Sequence, residues 1–300
     1  MAGIFPCRLL GDCLPTARDC FTCGKHFLQH IPFLLELIRL NHMKKTLQIL
    51  NLITFIAAVA VNYLYNTGSN APNTVGEISD KYENLLTPAG YAFSIWGLIY
   101  LMLALFAIFQ ARSLFSSKIN DLFLLQIGPW FILSNIVNAG WIVAFTNDLI
   151  GLSVLLMLVF FASLLKIVVN LNMDRWHAPK SLIFFIWWPF SVYFGWLNVA
   201  LIANLSVYFR SLGWDGAPLS QSFWAVLVLA IAGAVFTSMI WSRNMREYAV
   251  AGSWGIVAIA VNNWGANPVV AYTALGVAAI VVLNVFIHGF KKQVADNYAS

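Results

Sequence analysis

The sequence predicts an all-α fold, a polytopic membrane helical bundle of about eight transmembrane helices. Three observations carry that reading. Of 300 residues, 60% are hydrophobic and only 10% charged, with a mean hydropathy of +0.77; a soluble domain carries about 25% charged residues. Apolar runs of about 20 residues recur along the chain, the length a helix needs to cross hydrocarbon. The basic residues between those runs fall on one side. Lys44, Lys45, Arg112, Lys118, Lys166, Arg175, Lys180, Arg243, Arg246, Lys291 and Lys292 share it, against Lys81 and Arg210 on the other. That bias is the positive-inside pattern for eight helices. It places both termini in the cytoplasm, with a bacterial cytoplasmic membrane as the expected location. The runs are too long and too continuously apolar for transmembrane strands, which alternate over about ten residues. The pI near 9.0 therefore reports topology: the expected partner is the lipid bilayer, not nucleic acid.

Residues 1–42 stand apart as an N-terminal extension. They hold all four cysteines, Cys7, Cys13, Cys20 and Cys23, and three of the five histidines. Cys20-x-x-Cys23 with His26 and His30 has metal-like spacing, but a zinc site needs four ligands on an ordered scaffold. No metal and no cofactor is expected. A disordered leader, or a true start at Met43 followed by Lys44 and Lys45, are the other readings. The apolar stretch 31–40 is too short to span a bilayer.

The first span is 46–65. The segment 66–87 follows, carrying Glu77, Asp80, Lys81 and Glu83; it reads as a lid or as a solvated loop. The second span, 89–110, opens on Thr87 as a cap and Pro88 at the first helical position. At helical period Gly90, Ser94 and Gly97 form a small face suited to close packing, and one that permits a homodimer. Phe93, Trp96 and Tyr100 form an aromatic face beside it. That face reads as a packing surface with a membrane-interface belt, or as one wall of an aromatic pocket.

The third span is 122–145. Gln126, Trp130, Ser134, Asn138 and Trp141 recur on one face. Polar groups in hydrocarbon need partners, so the face looks into the bundle, as interhelical glue or as a ligand wall. The fourth span, 149–169, is nearly featureless. The fifth, 181–208, holds Trp187, Trp188, Pro189, Tyr193, Trp196, Asn198 and Asn204, with Pro189 bending it. Three further spans, 222–241, 248–264 and 268–288, complete the count, the last opening on Asn267 and Pro268.

No ionisable residue lies near the centre of any span, which argues against an ion-coupled pump. No His-Glu-x-x-His, Gly-x-Ser-x-Gly or phosphate-binding glycine loop occurs. The chain is not expected to be an enzyme. Tryptophans, tyrosines and neutral amides remain, and they suit a flat apolar ligand with a polar edge.

Three local patterns resemble the TspO/MBR family, the tryptophan-rich sensory proteins related to the translocator protein or peripheral benzodiazepine receptor. Trp96-Gly-Leu-Ile-Tyr100 after a proline-led, Phe-containing start is similar to the family's second helix. Asn138-Ala-Gly-Trp141 is similar to its third. Pro189, Tyr193, Trp196 and Leu197-Asn198 are similar to its fifth. The resemblance implies a TspO-like five-helix domain over 43–209, with three additional helices over 210–300. It implies a pocket opening toward the loop after the first helix, and a sensory or translocator-like role with a porphyrin or sterol-like lipid as ligand. The expected ligand-binding residues are Trp96, Tyr100, Asn138 and Trp141, then Tyr91, Tyr193, Trp196 and Asn198. The alternative is a facilitative transporter of a small apolar solute.

Overall fold

The computed structural model of the chain describes residues 17–67, 70–116, 121–175 and 178–299. Cys7 and Cys13 lie outside the described residues, as do the side chains of Cys20, Cys23, His26 and His30. Helix is the only regular structure among the described residues, and 82% of the chain is helical. Two compact units divide it, residues 1–46 and 47–300; every cavity and contact below lies in the second.

Helix α1 runs Ala17–Asn66, so residues 17–42 are helical. The segment expected as a loop contains a short helix, α2, at Val75–Lys81. Its start is a capping box. The Thr74 hydroxyl accepts from the Glu77 N–H at 3.2 Å, and the Glu77 carboxylate accepts from the Thr74 N–H at 2.6 Å. Both satisfy N–H groups that a helix start leaves open.

Helix α3, Ile95–Phe115, is entered through a 3-10 turn at Gly90–Ser94. Thr87 therefore caps nothing, contrary to the sequence reading. The Ala89 N–H instead donates to the Ala258 carbonyl at 3.0 Å. The third pass is broken: α4 covers Phe123–Ile127 and α5 covers Trp130–Thr146. Gly128 sits at φ +55 and Pro129 follows, a pair that cannot continue a helix. The break turns Gln126 out to an exposed position, so the polar stripe begins only with Trp130.

Helix α6 spans Ile150–Asn170. The fifth pass joins α7, Lys180–Leu182, a π-segment at Ile183–Trp187, and α8, Trp188–Ser211. Pro189 cannot donate to the preceding turn, and the wider π-turn lies there. Helices α9, α10 and α11 are Gln221–Arg243, Arg246–Asn262 and Pro268–Ala299. The Asn267 side chain accepts from the Val270 N–H at 3.3 Å, the cap the sequence predicts.

Among the described residues, six helical segments are long and apolar enough to cross a membrane, and α5 is a shorter apolar one. Helix α10 has 17 residues, a rise of about 25 Å, at the lower limit for a span. The whole is a polytopic helical membrane bundle.

Helix α8 is the hub, with α3, α6 and α10 packed around it. Its approach to α10 is at backbone distance. A Cβ on Gly195 would lie 2.1 Å from the Tyr248 carbonyl oxygen, and one on Gly255 would lie 2.7 Å from Val199. The expected small face of the second span does not play this part. Gly90 and Gly97 have nothing within 4 Å of a built Cβ, and with Ser94 they are exposed. Close approach uses the glycines of α8 and α10 because those helices pack directly on each other, whereas Gly90 and Gly97 have open space where a Cβ would be.

Candidate ligand pocket

Four helices bring the site together. Trp96 and Tyr100 come from α3, Asn138 and Trp141 from α5, Tyr193 and Trp196 from α8, and Asn62 from α1. Trp96 stands at the centre. Its ring stacks on Tyr100 at 5.5 Å and on Trp141 at 6.4 Å between centroids. It meets Tyr193 and Trp196 edge-on at 5.9 and 6.5 Å. These are the offset and edge-to-face distances that aromatic quadrupoles favour. Phe93, one turn before Trp96, adds an edge contact to Trp196 at 6.1 Å.

Buried amides hold the rings in place. Asn138 donates to the Tyr193 hydroxyl at 2.9 Å and to the Tyr100 hydroxyl at 3.5 Å. Its carbonyl oxygen accepts from Asn62 at 3.4 Å. The Trp141 indole N–H donates to the Asn204 carbonyl oxygen at 2.8 Å, and Asn204 donates to Ser153 at 3.0 Å. In hydrocarbon such groups require internal partners, and here each spacer amide has them. The Asn138 side chain is thus bonded to two tyrosines and to Asn62.

Two cavities flank the Trp96–Trp141 stack, and Val75, Phe93, Trp96 and Trp141 border both. The larger, 240 Å³, is closed by Val59, Asn62 and Tyr63 of α1 together with Tyr100. The smaller, 30 Å³, reaches Thr87, Trp196 and Asn204, with room for one water or one polar ligand atom. The Trp196 Nε1–H and the Thr87 hydroxyl are buried at this small cavity without a hydrogen-bond partner among the described residues. The Trp96 indole N–H also bonds none of the described residues.

Helix α2 covers the pocket. Val75 borders both cavities, and Ile78 is fully buried beneath the helix. Lys81 pairs with Asp148 on the turn between α5 and α6, and Asn73 donates to the Thr146 carbonyl at 3.2 Å. The Asp148 carboxylate holds Lys81 above its ordinary pKa of 10.5. The Thr74 N–H and hydroxyl hold Glu77 below its ordinary 4.5.

Two expected residues are elsewhere. Tyr91 is exposed and packs edge-on against Trp254 at 5.3 Å. It precedes α3 in a 3-10 turn, where each residue advances about 120° rather than 100°, so a helical period run back from Trp96 misplaces it. Asn198 donates to the Phe194 carbonyl one turn back at 2.6 Å; two residues past Trp196, it is on another face of α8. Four site residues escaped the sequence reading: Asn62, Thr87, Ser153 and Asn204. Asn204 had a signal, since it follows Trp196 by eight residues on the same face.

The fold and this site define a polytopic helical membrane protein with an aromatic, amide-braced cavity under a short helical cover. The family model for TSPO-like protein matches residues 48–287, 240 of the 300 residues. The chain belongs to the TSPO-like family, and the match takes in the last three helices as well as the first five. No curated protein and no solved structure matches the chain.

Proposed function

We propose that the chain binds a flat apolar ligand against Trp96 and Trp141, in a sensory or translocator-like role. The observation that carries this is the pairing of an aromatic cavity with unspent donors. At the adjoining small cavity the Trp196 Nε1–H and the Thr87 hydroxyl bond none of the described residues, and neither does the Trp96 indole N–H between the two cavities. A ligand acceptor, such as a carbonyl or a ring nitrogen, satisfies them, and the rings stack on its face. At 240 Å³ the cavity is smaller than the ~300–1,000 Å³ of most ligand pockets. A porphyrin therefore keeps one edge outside or lifts Val75 with α2, and a sterol-like lipid enters by its narrow end. The role is binding rather than catalysis. The exposed Gly90, Ser94 and Gly97 leave a face for a homodimer.

Protoporphyrin titrated into the nanodisc-embedded chain, followed in its Soret band, tests the reading. Saturable binding that Trp96→Ala weakens supports it; no saturable binding removes the tetrapyrrole. Porphyrin absorbance that decays with time and protein would make the chain an enzyme instead. The carrier alternative requires a path past Phe106, Phe131 and Phe190, which are fully buried and packed edge-to-face one to two turns further in. Saturable flux into proteoliposomes would establish it.

A further inference from the structure

A groove of 590 Å³ lies between α3, α8, α10 and α11. Leu98, Val192, Val250, Trp254 and Val285 line it, and Leu98, Val250 and Trp254 are exposed. Trp254 spends its indole N–H on the Ala92 carbonyl at 3.1 Å, so it offers the groove only an apolar ring. One end of the groove is charged. Arg246 and Glu247, the first two residues of α10, stand there. From Arg246 to Trp254 the helix rises about 12 Å.

Neither charge is paired with a described residue. Among the described residues the ion pairs are Lys81–Asp148 and Arg112–Asp121. Arg246 Nε is enclosed without an acceptor, and its Nη1 rests against α11, 3.0 Å from where a Cβ on Gly289 would be. Glu247 is half-buried and makes no side-chain hydrogen bond with a described residue. Consecutive helical residues diverge by about 100°, so these two do not face each other. They present a cation and an anion side by side at the mouth of an apolar groove.

We infer that this groove holds a glycerophospholipid with a phosphoethanolamine headgroup. Its phosphate lies on Arg246, whose planar fork suits phosphate oxygens. Its primary ammonium lies on Glu247, and one acyl chain follows Val250 and Trp254. A purely anionic headgroup would leave Glu247 beside a phosphate with no cation. A choline headgroup has no N–H for the carboxylate to accept. The site is separate from the aromatic pocket and does not rest on what that pocket binds.

Native mass spectrometry of the delipidated full chain, offered phosphatidylethanolamine, phosphatidylcholine and phosphatidylglycerol of matched acyl chains, tests it. Wild type retains the ethanolamine lipid about tenfold over the choline lipid, the size of one charge-assisted hydrogen bond. Glu247→Gln erases that preference. Arg246→Gln weakens both lipids, and Arg246→Lys, which keeps charge without the fork, weakens them less. Val250→Trp, an exposed groove-filling change, weakens every lipid. Equal retention of the ethanolamine and choline lipids, strongest retention of the glycerol lipid, or retention unchanged by Arg246→Gln and Glu247→Gln would each overturn the inference.

Discussion

The two faces of α8 are built in opposite ways. One face carries Gly195 and Val199, pressed so closely on α10 that no atom fits between Gly195 and the Tyr248 carbonyl. The other carries Tyr193, Trp196 and Asn204, and the space around them is partly empty. The residues Gly195 and Trp196 are neighbours in sequence and opposites in packing. The glycine face is held by dispersion and close backbone contact, which small residues permit in lipid. The aromatic face is held by directed bonds, Asn138 to the tyrosines and Asn204 to Trp141. Bonds fix ring positions without filling volume, so they can brace a gap that packing alone would close. The comparison teaches that the cavity beside one face of α8 is braced by amides, while the other face of α8 is packed directly on α10.

The contrast can be broken most severely at Gly195. Gly195→Ala places a Cβ 2.1 Å from the Tyr248 carbonyl oxygen, against backbone rather than a mobile side chain. Overpacking of this kind costs about 3 kcal/mol or more, and thermal unfolding in detergent should show a large loss or no folded protein. Asn204→Leu comes next. It leaves the Trp141 N–H and the Ser153 hydroxyl without a shared partner, at about 1–3 kcal/mol. Its distinguishing sign is a matching loss of porphyrin affinity, which a glycine-face change of equal stability cost would not produce.

Trp96→Ala reverses the balance between stability and binding. Trp96 is only half-buried, so unfolding should shift modestly. Removal of its stacking surface should weaken binding ten- to a hundredfold, about 1.5–3 kcal/mol, in the Soret titration. The cover helix gives a smaller, pH-dependent effect. Glu77 has a folded pKa lowered by the Thr74 N–H, so its contribution is present above the ordinary 4.5 and is lost as pH falls through the lower folded value. Amide exchange over residues 75–81 should therefore speed up on acidification, and Thr74→Ala should reproduce that at neutral pH for about 1 kcal/mol of local stability. The Lys81–Asp148 pair runs the other way: its contribution is present below 10.5 and is lost as pH rises through the raised lysine value. Gly97→Ala is the smallest change. With nothing within 4 Å, it should leave binding intact and stabilise α3 by up to about 1 kcal/mol.

Much of this was legible in the sequence because lipid imposes simple rules. Eight apolar runs and one-sided loop charges gave the helix order, since hydrocarbon demands about 20 apolar residues per pass. The convergence of Trp96, Tyr100, Asn138 and Trp141 followed from the 3.6-residue period within α3 and α5. What stayed hidden depends on departures from that period. The 3-10 entry at Gly90–Ser94 displaced Tyr91, and the Gly128–Pro129 break detached Gln126 from its stripe. The partners of each amide were also hidden. Asn138 was expected to line the ligand pocket, and only the positions of Tyr100 and Tyr193 on other helices show its amide bonded to their hydroxyls. The close approach at Gly195 requires knowing that Tyr248, more than fifty residues later, lies opposite.

The central claim is that the 240 Å³ aromatic pocket takes the ligand in preference to wider apolar grooves. One such groove, of 420 Å³, is lined by Phe209, Trp214 and Trp224, and the other is the α10 groove of 590 Å³. Photolabelling tests this most directly. A photoreactive tetrapyrrole analogue is irradiated with the nanodisc-embedded chain and the adducts are mapped by peptide mass spectrometry. The account predicts adducts on residues 93–100 and 138–145, competed by unlabelled protoporphyrin and absent in Trp96→Ala. Competable adducts concentrated on residues 209–228 or 246–254, with 93–100 and 138–145 unlabelled, would contradict it.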